Sequence, residues 1–464
     1  MSPRRRSSRR PAKRGRGDGA ARPRVPAALA RARIHPAVRH VLEVLDRAGH
    51  RSWLVGGAVR DLLLHRGRRA AADLDVATPA TPAEVTALFA RVVPTGVEHG
   101  TVTVLVGEDQ VEVTTFRGEG AYRDGRRPSS VTFHTDLDQD LSRRDFTMNA
   151  LAWDPIGRVF RDPFGGREDM RRHLIRAVGD AAERFAEDGL RPLRAIRFAA
   201  QLGYRLDRRT LAAIRPAAPV VRLVSAERVA DELGKLLAAP RPGPALGLLQ
   251  STGLLPVVLP PLAGLSAPTL AHLRAVAVAV PPDPVLRFAA LLHVVPPVEA
   301  LQALVGLRLP NRLGSEVAAL LRERGCLRER GEYRLPETPP QVRRWLSRVG
   351  AARAPALLTL WDADARHLGA RSRKERAALR RLRSRAGRVL AHRPPLDTGD
   401  LAIDGRAVME QLGIGPGRAV GLALRHLLDR VLEHPERNRR DALAAELAEW
   451  WRGRQPGAEG QDPR

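Results

Sequence analysis

Apolar residues recur every three to four positions over most of this chain and every second position in only a few short stretches. Val38, Val41, Leu42 and Leu45 share one face, which predicts a helix over 36–50 with Gly49 as its cap. Residues 52–55 are a short apolar run and predict a strand. Gly56-Gly57 then predicts a turn into a helix over 58–64, with a second strand at 74–76. Thr81-Pro82-Ala83-Glu84 opens a helix reaching 89, with proline at its first position and an acid in its first turn. Strict alternation over 101–106 and 111–116 predicts a hairpin around residues 107–110. A helix is predicted over 142–152 and a short strand over 158–162. Beyond about 171 the period is helical almost throughout, interrupted at the proline-rich joints 239–244, 255–268 and 393–396. The pattern predicts an α+β head with a small mixed sheet, followed by an elongated all-helical remainder. Its expected divisions are a basic tail at 1–26, a head at 27–170, a helical neck at 171–240, a body at 241–392 and a tail at 393–464.

Length changes this picture little, since 464 residues accommodate two to four domains. No run of about 18 apolar residues occurs, so no membrane span is expected. The start lacks an apolar signal core. The single cysteine, Cys326, excludes an internal disulfide framework and fits a reducing, cytoplasmic setting.

Charge changes it more. The net charge of +27 favours a polyanionic partner such as nucleic acid. Lysine appears only at Lys13, Lys235 and Lys374, so a bias toward arginine explains the choice of cation. It does not explain 78 basic residues against 51 acidic ones. The first 25 residues hold ten basic side chains against Asp18 and read as a disordered tail, yet the rest of the chain keeps +18.

Candidate chemistry sits in the head. Asp73 and Asp75 are two apart on a predicted strand, and period-two geometry turns both carboxylates to one face. Two acids that close repel unless a cation lies between them, and Mg²⁺ prefers such oxygen ligands. The plainer reading is a strand end with two solvated acids. Glu112 alternates with Val111 and Val113, so it faces away from the valines in mid-strand. Added to the aspartates, it makes the three-acid cluster that two-metal phosphoryl or nucleotidyl transfer uses. Gly56 and Gly57 allow close approach of a phosphate to a helix N-terminus, and Arg60 lies one turn further on. A Gly-Gly pair alone is more often a plain turn. The conjunction of strand, Gly-Gly, helix, Asp-Leu-Asp and hairpin acid is much rarer.

These residues, Leu54-Val-Gly-Gly-Ala-Val-Arg-Asp61 followed by Asp73-Leu-Asp75, resemble the head of the class II tRNA nucleotidyltransferase and poly(A) polymerase family, whose heads are polymerase-β-like. Four further stretches match in order. Arg143-Arg144-Asp145-Phe146-Thr147-Met148-Asn149-Ala150 resembles the ribose-reading motif, and residues 187–198 resemble the nucleobase-reading helix. Residues 227–233 resemble a helix-stabilising motif, and residues 400–405 with 412–417 resemble the tail region. The resemblance spans about 36–450.

It implies that Asp73 and Asp75 hold Mg²⁺ and that Glu112 helps to activate the attacking hydroxyl. Gly56, Gly57 and Arg60 would hold the triphosphate, while Arg144, Asp145 and Asn149 would meet ribose and phosphate. Asp188 and Arg191, three apart, would read the base edge of CTP or ATP, with Arg194 and Arg197 serving either the nucleotide or helix packing. Residues 117–128 resemble the family's flexible loop at full length, which counts against relatives that add only CC. Thr95-Gly-Val-Glu-His-Gly-Thr-Val-Thr103 follows the CCA-adding branch rather than the poly(A) branch.

The implied activity is template-independent addition or repair of the 3′-terminal CCA of tRNA from CTP and ATP. The partners are then the tRNA 3′ end and acceptor region, with no membrane, and the oligomeric state stays open. The alternatives are an A-adding tRNA nucleotidyltransferase, a poly(A) polymerase, or a non-catalytic RNA-binding protein of the same fold. Some family members also carry a metal phosphohydrolase domain with a His-Asp pair. Here His293 is followed by Val294, so that activity is not expected and His293 reads as a core or capping residue.

Overall fold

The computed structural model describes residues 25–65, 74–119, 131–133, 135–325, 328–329, 332–333 and 335–453. Asp73, Cys326, the basic tail over 1–24 and the loop over 120–130 lie outside the described residues. The described residues form two compact units. One comprises 25–172 with 176–180, and the other comprises 173–175 with 181–453.

The first unit is built on one sheet. Its strands are β1 (Trp53–Val55), β2 (Asp75–Thr78), β3 (Val92–Gly96), β4 (Thr101–Val106), β5 (Asp109–Thr115), β8 (Ala152–Asp154) and β9 (Val159–Arg161), in the order β3-β4-β5-β2-β1-β8-β9. β6 (Arg117–Glu119) and β7 (Val131–Phe133) form a separate antiparallel ribbon, so the first three residues of the expected 117–128 loop are strand. The sheet is mixed, because β2 pairs with β5 in parallel while the other pairs are antiparallel. Alternation works as expected in β5, where Val111 and Val113 are buried and Glu112 is exposed. Helix Pro36–Arg47 places Val38, Val41, Leu42 and Leu45 in the core, and His35 caps its start. Helix Pro82–Leu88 begins with the predicted capping box between Thr81 and Glu84.

Three expectations need adjustment. The hairpin turn is only two residues, Gly107 and Glu108, with Gly107 at φ +63°, so β5 begins at Asp109. Strand β3 was not predicted, because Pro94 and its exposed residues hide it at the sheet edge. The helix expected over 142–152 does not form. The chain instead makes helix Leu137–Ser142, a turn, the 3₁₀ segment Thr147–Asn149 and then β8. The reason is competition for backbone bonds: Phe146 bridges Ala177, and the Thr147 amide donates to the carbonyl of Arg176 at 2.9 Å.

The second unit is helical apart from two-stranded pairs such as Leu174–Ile175 with Arg205–Leu206. Near its start, helix Ala181–Glu187 is followed by helix Arg191–Leu202 and, further on, by Ala226–Ala238. Trp345 and Trp361 are fully buried in its interior. At the C-terminal end, helices Gly405–Leu412, Arg418–Glu433 and Arg440–Arg452 enclose Val408, Leu427, Val431 and Leu447. Trp450 packs against that core and stacks on His426 at 5.2 Å. Helix Ser372–Ala391 buries Leu379, Leu382 and Ala386, so its arginines form the opposite face. No helix among the described residues is long and apolar enough to cross a membrane.

Candidate active site

In the first unit the acids meet through strand register. β2 and β5 run in parallel with Asp75 paired to Glu112, so the two side chains share one face of the sheet. The Glu112 amide also donates to the Leu74 carbonyl at 3.0 Å, which fixes that register beside the Asp-Leu-Asp segment. Asp75 and Glu112 offer hard carboxylate oxygens at one spot, the donor set that suits a hard divalent cation.

Next to β2 in the sheet, β1 ends at the glycine turn. Gly56 adopts φ +66°, a left-handed conformation that disfavours a side chain. Its amide is spent on the Leu151 carbonyl at 3.1 Å, so its contribution is shape rather than donation. A β-carbon on Gly56 would stand 2.8 Å from Nη1 of Arg144. The backbone conformation favours glycine there, and a side chain would also push the end of Arg144 aside. Gly57 starts helix Gly57–Leu64, and no side chain caps that start. Uncapped first-turn amides are an anion site, and the Arg144 guanidinium beside them adds charge.

Arg144 is aimed by Asp140, which is fully buried and pairs with both Arg143 at 2.9 Å and Arg144 at 3.3 Å. Burial alone would push the Asp140 carboxyl up. The charges of Arg143 and Arg144 and their hydrogen bonds outweigh it and hold the carboxyl below its ordinary range. Nothing in its spacing marked Asp140 as part of the site.

A second network lies behind the turn. Arg60 is buried and donates from Nη1 to Oδ1 of Asn149 at 2.7 Å and from Nε to Asp61 at 2.8 Å. Asn149 in turn donates from Nδ2 to Oδ1 of Asp145 at 2.9 Å, and the same oxygen accepts the Phe146 amide at 2.8 Å. Asp145 and Asn149 are thus neighbours, brought together through a 3₁₀ turn rather than the helix expected over 142–152. Arg60, expected near a triphosphate, is the anchor of this chain of hydrogen bonds.

Asp188 and Arg191, expected to read the base edge, lie in the second unit and are not on one helix. Helix Ala181–Glu187 ends before Asp188, and the next helix starts at Arg191. Gly189 sits at the joint because a β-carbon there would approach the Val220 carbonyl to 2.5 Å. Asp188 accepts the Leu190 amide at 3.0 Å with one oxygen and Nη2 of Arg228 at 2.9 Å with the other. Arg191 is held by Glu187 and by the Arg184 carbonyl. The acid and the donor fork therefore flank the joint, each steadied by its own partner. Arg228, forty residues away in sequence, carries no local signal of this role.

Arg197 makes a buried ion pair with Glu232 and lies 3.8 Å from the centre of the Phe198 ring. Arg194 approaches Glu232 at 3.7 Å. Of the two readings open for these arginines, Arg197 serves helix packing, with Glu232 of the helix-stabilising stretch as its counter-charge.

Known proteins match this chain along nearly its whole length. The Poly A polymerase head domain family matches residues 52–176, and the family described as probable RNA and SrmB-binding site of polymerase A matches 203–265. The CCA-adding enzyme of Geobacillus stearothermophilus is 38% identical over 412 residues, covering 88% of this chain and 95% of that protein. The crystal structure of Bacillus stearothermophilus CCA-adding enzyme in complex with CTP is similar with a TM-score of 0.70 and 35% identity, covering 90% of this chain and 97% of that one. A CCA-adding enzyme solved in complex with CTP at 18% identity, with a TM-score of 0.63, shares the fold. The head motifs, the helical remainder and relatives spanning almost the whole chain agree, and the chain belongs to the class II tRNA nucleotidyltransferase and poly(A) polymerase family, in its CCA-adding branch.

Proposed function

We propose that this protein builds or repairs the 3′-terminal CCA of tRNA, taking CTP and ATP without a nucleic-acid template. The observation that carries the reading is the pairing of Asp75 with Glu112 beside a glycine turn that opens an uncapped helix. Asp73 and Asp75 are the residues to hold Mg²⁺, and the carboxylates of Asp75 and Glu112 on adjacent strands are hard oxygen donors of the kind that ion takes. When bound, such ions lower the pKa of the attacking hydroxyl and neutralise the triphosphate. Glu112 orients the tRNA 3′-hydroxyl and takes up its proton. The helix opened by Gly56 and Gly57 receives the triphosphate, with the charges of Arg60 and Arg144 behind it. Asp145 and Asn149 meet the ribose hydroxyls. Asp188 and Arg191 present an acceptor and a donor fork to the base edge, so protein groups replace a template strand. The net charge of +27 favours the polyanionic tRNA.

Incubating the purified protein with tRNA lacking CCA, CTP, ATP and Mg²⁺ tests this reading. Incorporation should appear and should vanish in Asp73→Ala while tRNA binding is nearly unchanged. Appreciable activity in Asp73→Ala would remove the metal assignment.

A further inference from the structure

Arg60 lies one turn into helix Gly57–Leu64, with its charge behind the proposed triphosphate position. Its side chain is nevertheless buried, and two of its nitrogens are engaged within the head. Nη1 donates to Oδ1 of Asn149 at 2.7 Å, and Nε donates to Oδ1 of Asp61 at 2.8 Å. Asn149, buried as well, passes a hydrogen bond from Nδ2 to Oδ1 of Asp145 at 2.9 Å.

Chemistry fixes the direction of this relay. A guanidinium only donates and an ionised carboxylate only accepts. The amide between them must therefore turn its oxygen to Arg60 and its nitrogen to Asp145, and the flipped amide would fail at both ends. Oδ1 of Asp145 also accepts the Phe146 amide at 2.8 Å, so two donors converge on one oxygen and set the plane of the carboxylate. Asn149 belongs to the three-residue 3₁₀ segment Thr147–Asn149, too short for a helical ladder to hold its side chain. Arg60 supplies that hold from a helix 89 positions away in the chain.

We propose that Arg60 and Asn149 are positioning residues for sugar selection. The inference rests on the nucleotide assignment above, with Asp145 at the ribose. Arg60 acts through Asn149 to orient the Asp145 carboxylate toward the ribose 2′-hydroxyl, and the relay thereby sets the preference for ribonucleotides over deoxyribonucleotides. A site built to bond a hydroxyl rejects the analogue that lacks it, because its buried polar group is left unpaired. The positive charge of Arg60 acts on the triphosphate equally for both sugars, so only the relay can tell them apart.

Deoxynucleotides separate the two roles, since dCTP and dATP carry the same triphosphate as CTP and ATP and lack only the 2′-hydroxyl. The values of kcat/KM are compared for CTP and dCTP on tRNA lacking CCA, and for ATP and dATP on tRNA ending in CC. The wild-type chain should prefer each ribonucleotide by at least about tenfold, the factor carried by one hydrogen bond to a charged group. Arg60→Met and Asn149→Ala should each shrink both preferences by about that factor. The double variant should lose no more than either single one, because the two residues act in series. Thermal unfolding identifies a variant that fails to fold, and the other then decides. An unchanged preference in a folded variant, with the two sugars falling in parallel, would leave Arg60 a triphosphate charge alone and overturn the proposal. A wild-type chain indifferent to the sugar would overturn it too while leaving CCA addition intact. Absence of all incorporation by the wild-type chain would instead remove the nucleotidyl-transfer reading, and the proposal with it.

Discussion

Asp75 and Glu112 stand opposite each other on adjacent parallel strands although 37 positions separate them in the chain. Parallel pairing turns both side chains to the same face, and the exposed position of Glu112 means that nothing in the fold depends on its charge. Glu112→Gln should therefore leave the unfolding temperature unchanged and lower kcat by about 10²–10⁴, the usual contribution of a positioned acid or base. Steady-state kinetics together with thermal unfolding checks this. A fall in stability matching the fall in rate would mean that Glu112 is structural.

Gly56→Ala should damage the turn in two ways. The φ of +66° strains any side chain, at about 1–3 kcal/mol, and the new β-carbon would meet Arg144. CTP and ATP affinity should fall together, because the phosphate end is common to both. Isothermal titration with each nucleotide measures it, and a selective loss of one nucleotide would contradict the assignment.

The Arg197–Glu232 pair is buried, so removing either partner takes away the nearer counter-charge of the other, although Arg194 stays 3.7 Å from Glu232. Arg197→Met or Glu232→Gln should cost about 3–5 kcal/mol, read from denaturant unfolding. The double replacement by apolar residues should recover much of that loss. Additive losses in the double variant would show that the two residues do not act as a pair.

Asp140 gives a pH dependence of definite sign. Its carboxyl is held below the ordinary value of 3.8 in the folded head, so the unfolded state binds the proton more readily. The stabilisation is fully present above the unfolded value and is lost as pH falls through the folded one. Acid unfolding of the wild-type protein below about pH 4 should be steeper than that of Asp140→Asn. Circular dichroism across pH 2–5 reads the difference, and identical acid limbs would contradict it.

Much of this was legible in the sequence, for identifiable reasons. Period-two alternation placed Glu112 correctly because one face of β5 is buried. The capping box at Thr81 and the valine and leucine stripe of helix Pro36–Arg47 are local signals, and they were read as they stand. Spacing failed where tertiary bonds decide the backbone. Residues 142–152 carry helical periodicity, yet the Ala177 bridge and the Arg176 carbonyl pull Phe146 and Thr147 out of a helix. Asp188 and Arg191 look like helical neighbours, but the chain turns through Asp188–Leu190 and the next helix starts only at Arg191. Asp140 and Arg228 owe their places to partners brought by folding, which no local pattern records.

A CCA-adding enzyme places C, C and A in order on a tRNA end. Sequencing of products made from tRNAs ending before CCA, after C and after CC tests that reading of this chain most directly, with CTP and ATP both present. The account predicts that all three converge on a single CCA end and that addition then stops. Long adenosine tracts on every substrate would contradict it and assign the protein to poly(A) synthesis, and addition only to the tRNA already ending in CC would assign it to A-addition alone.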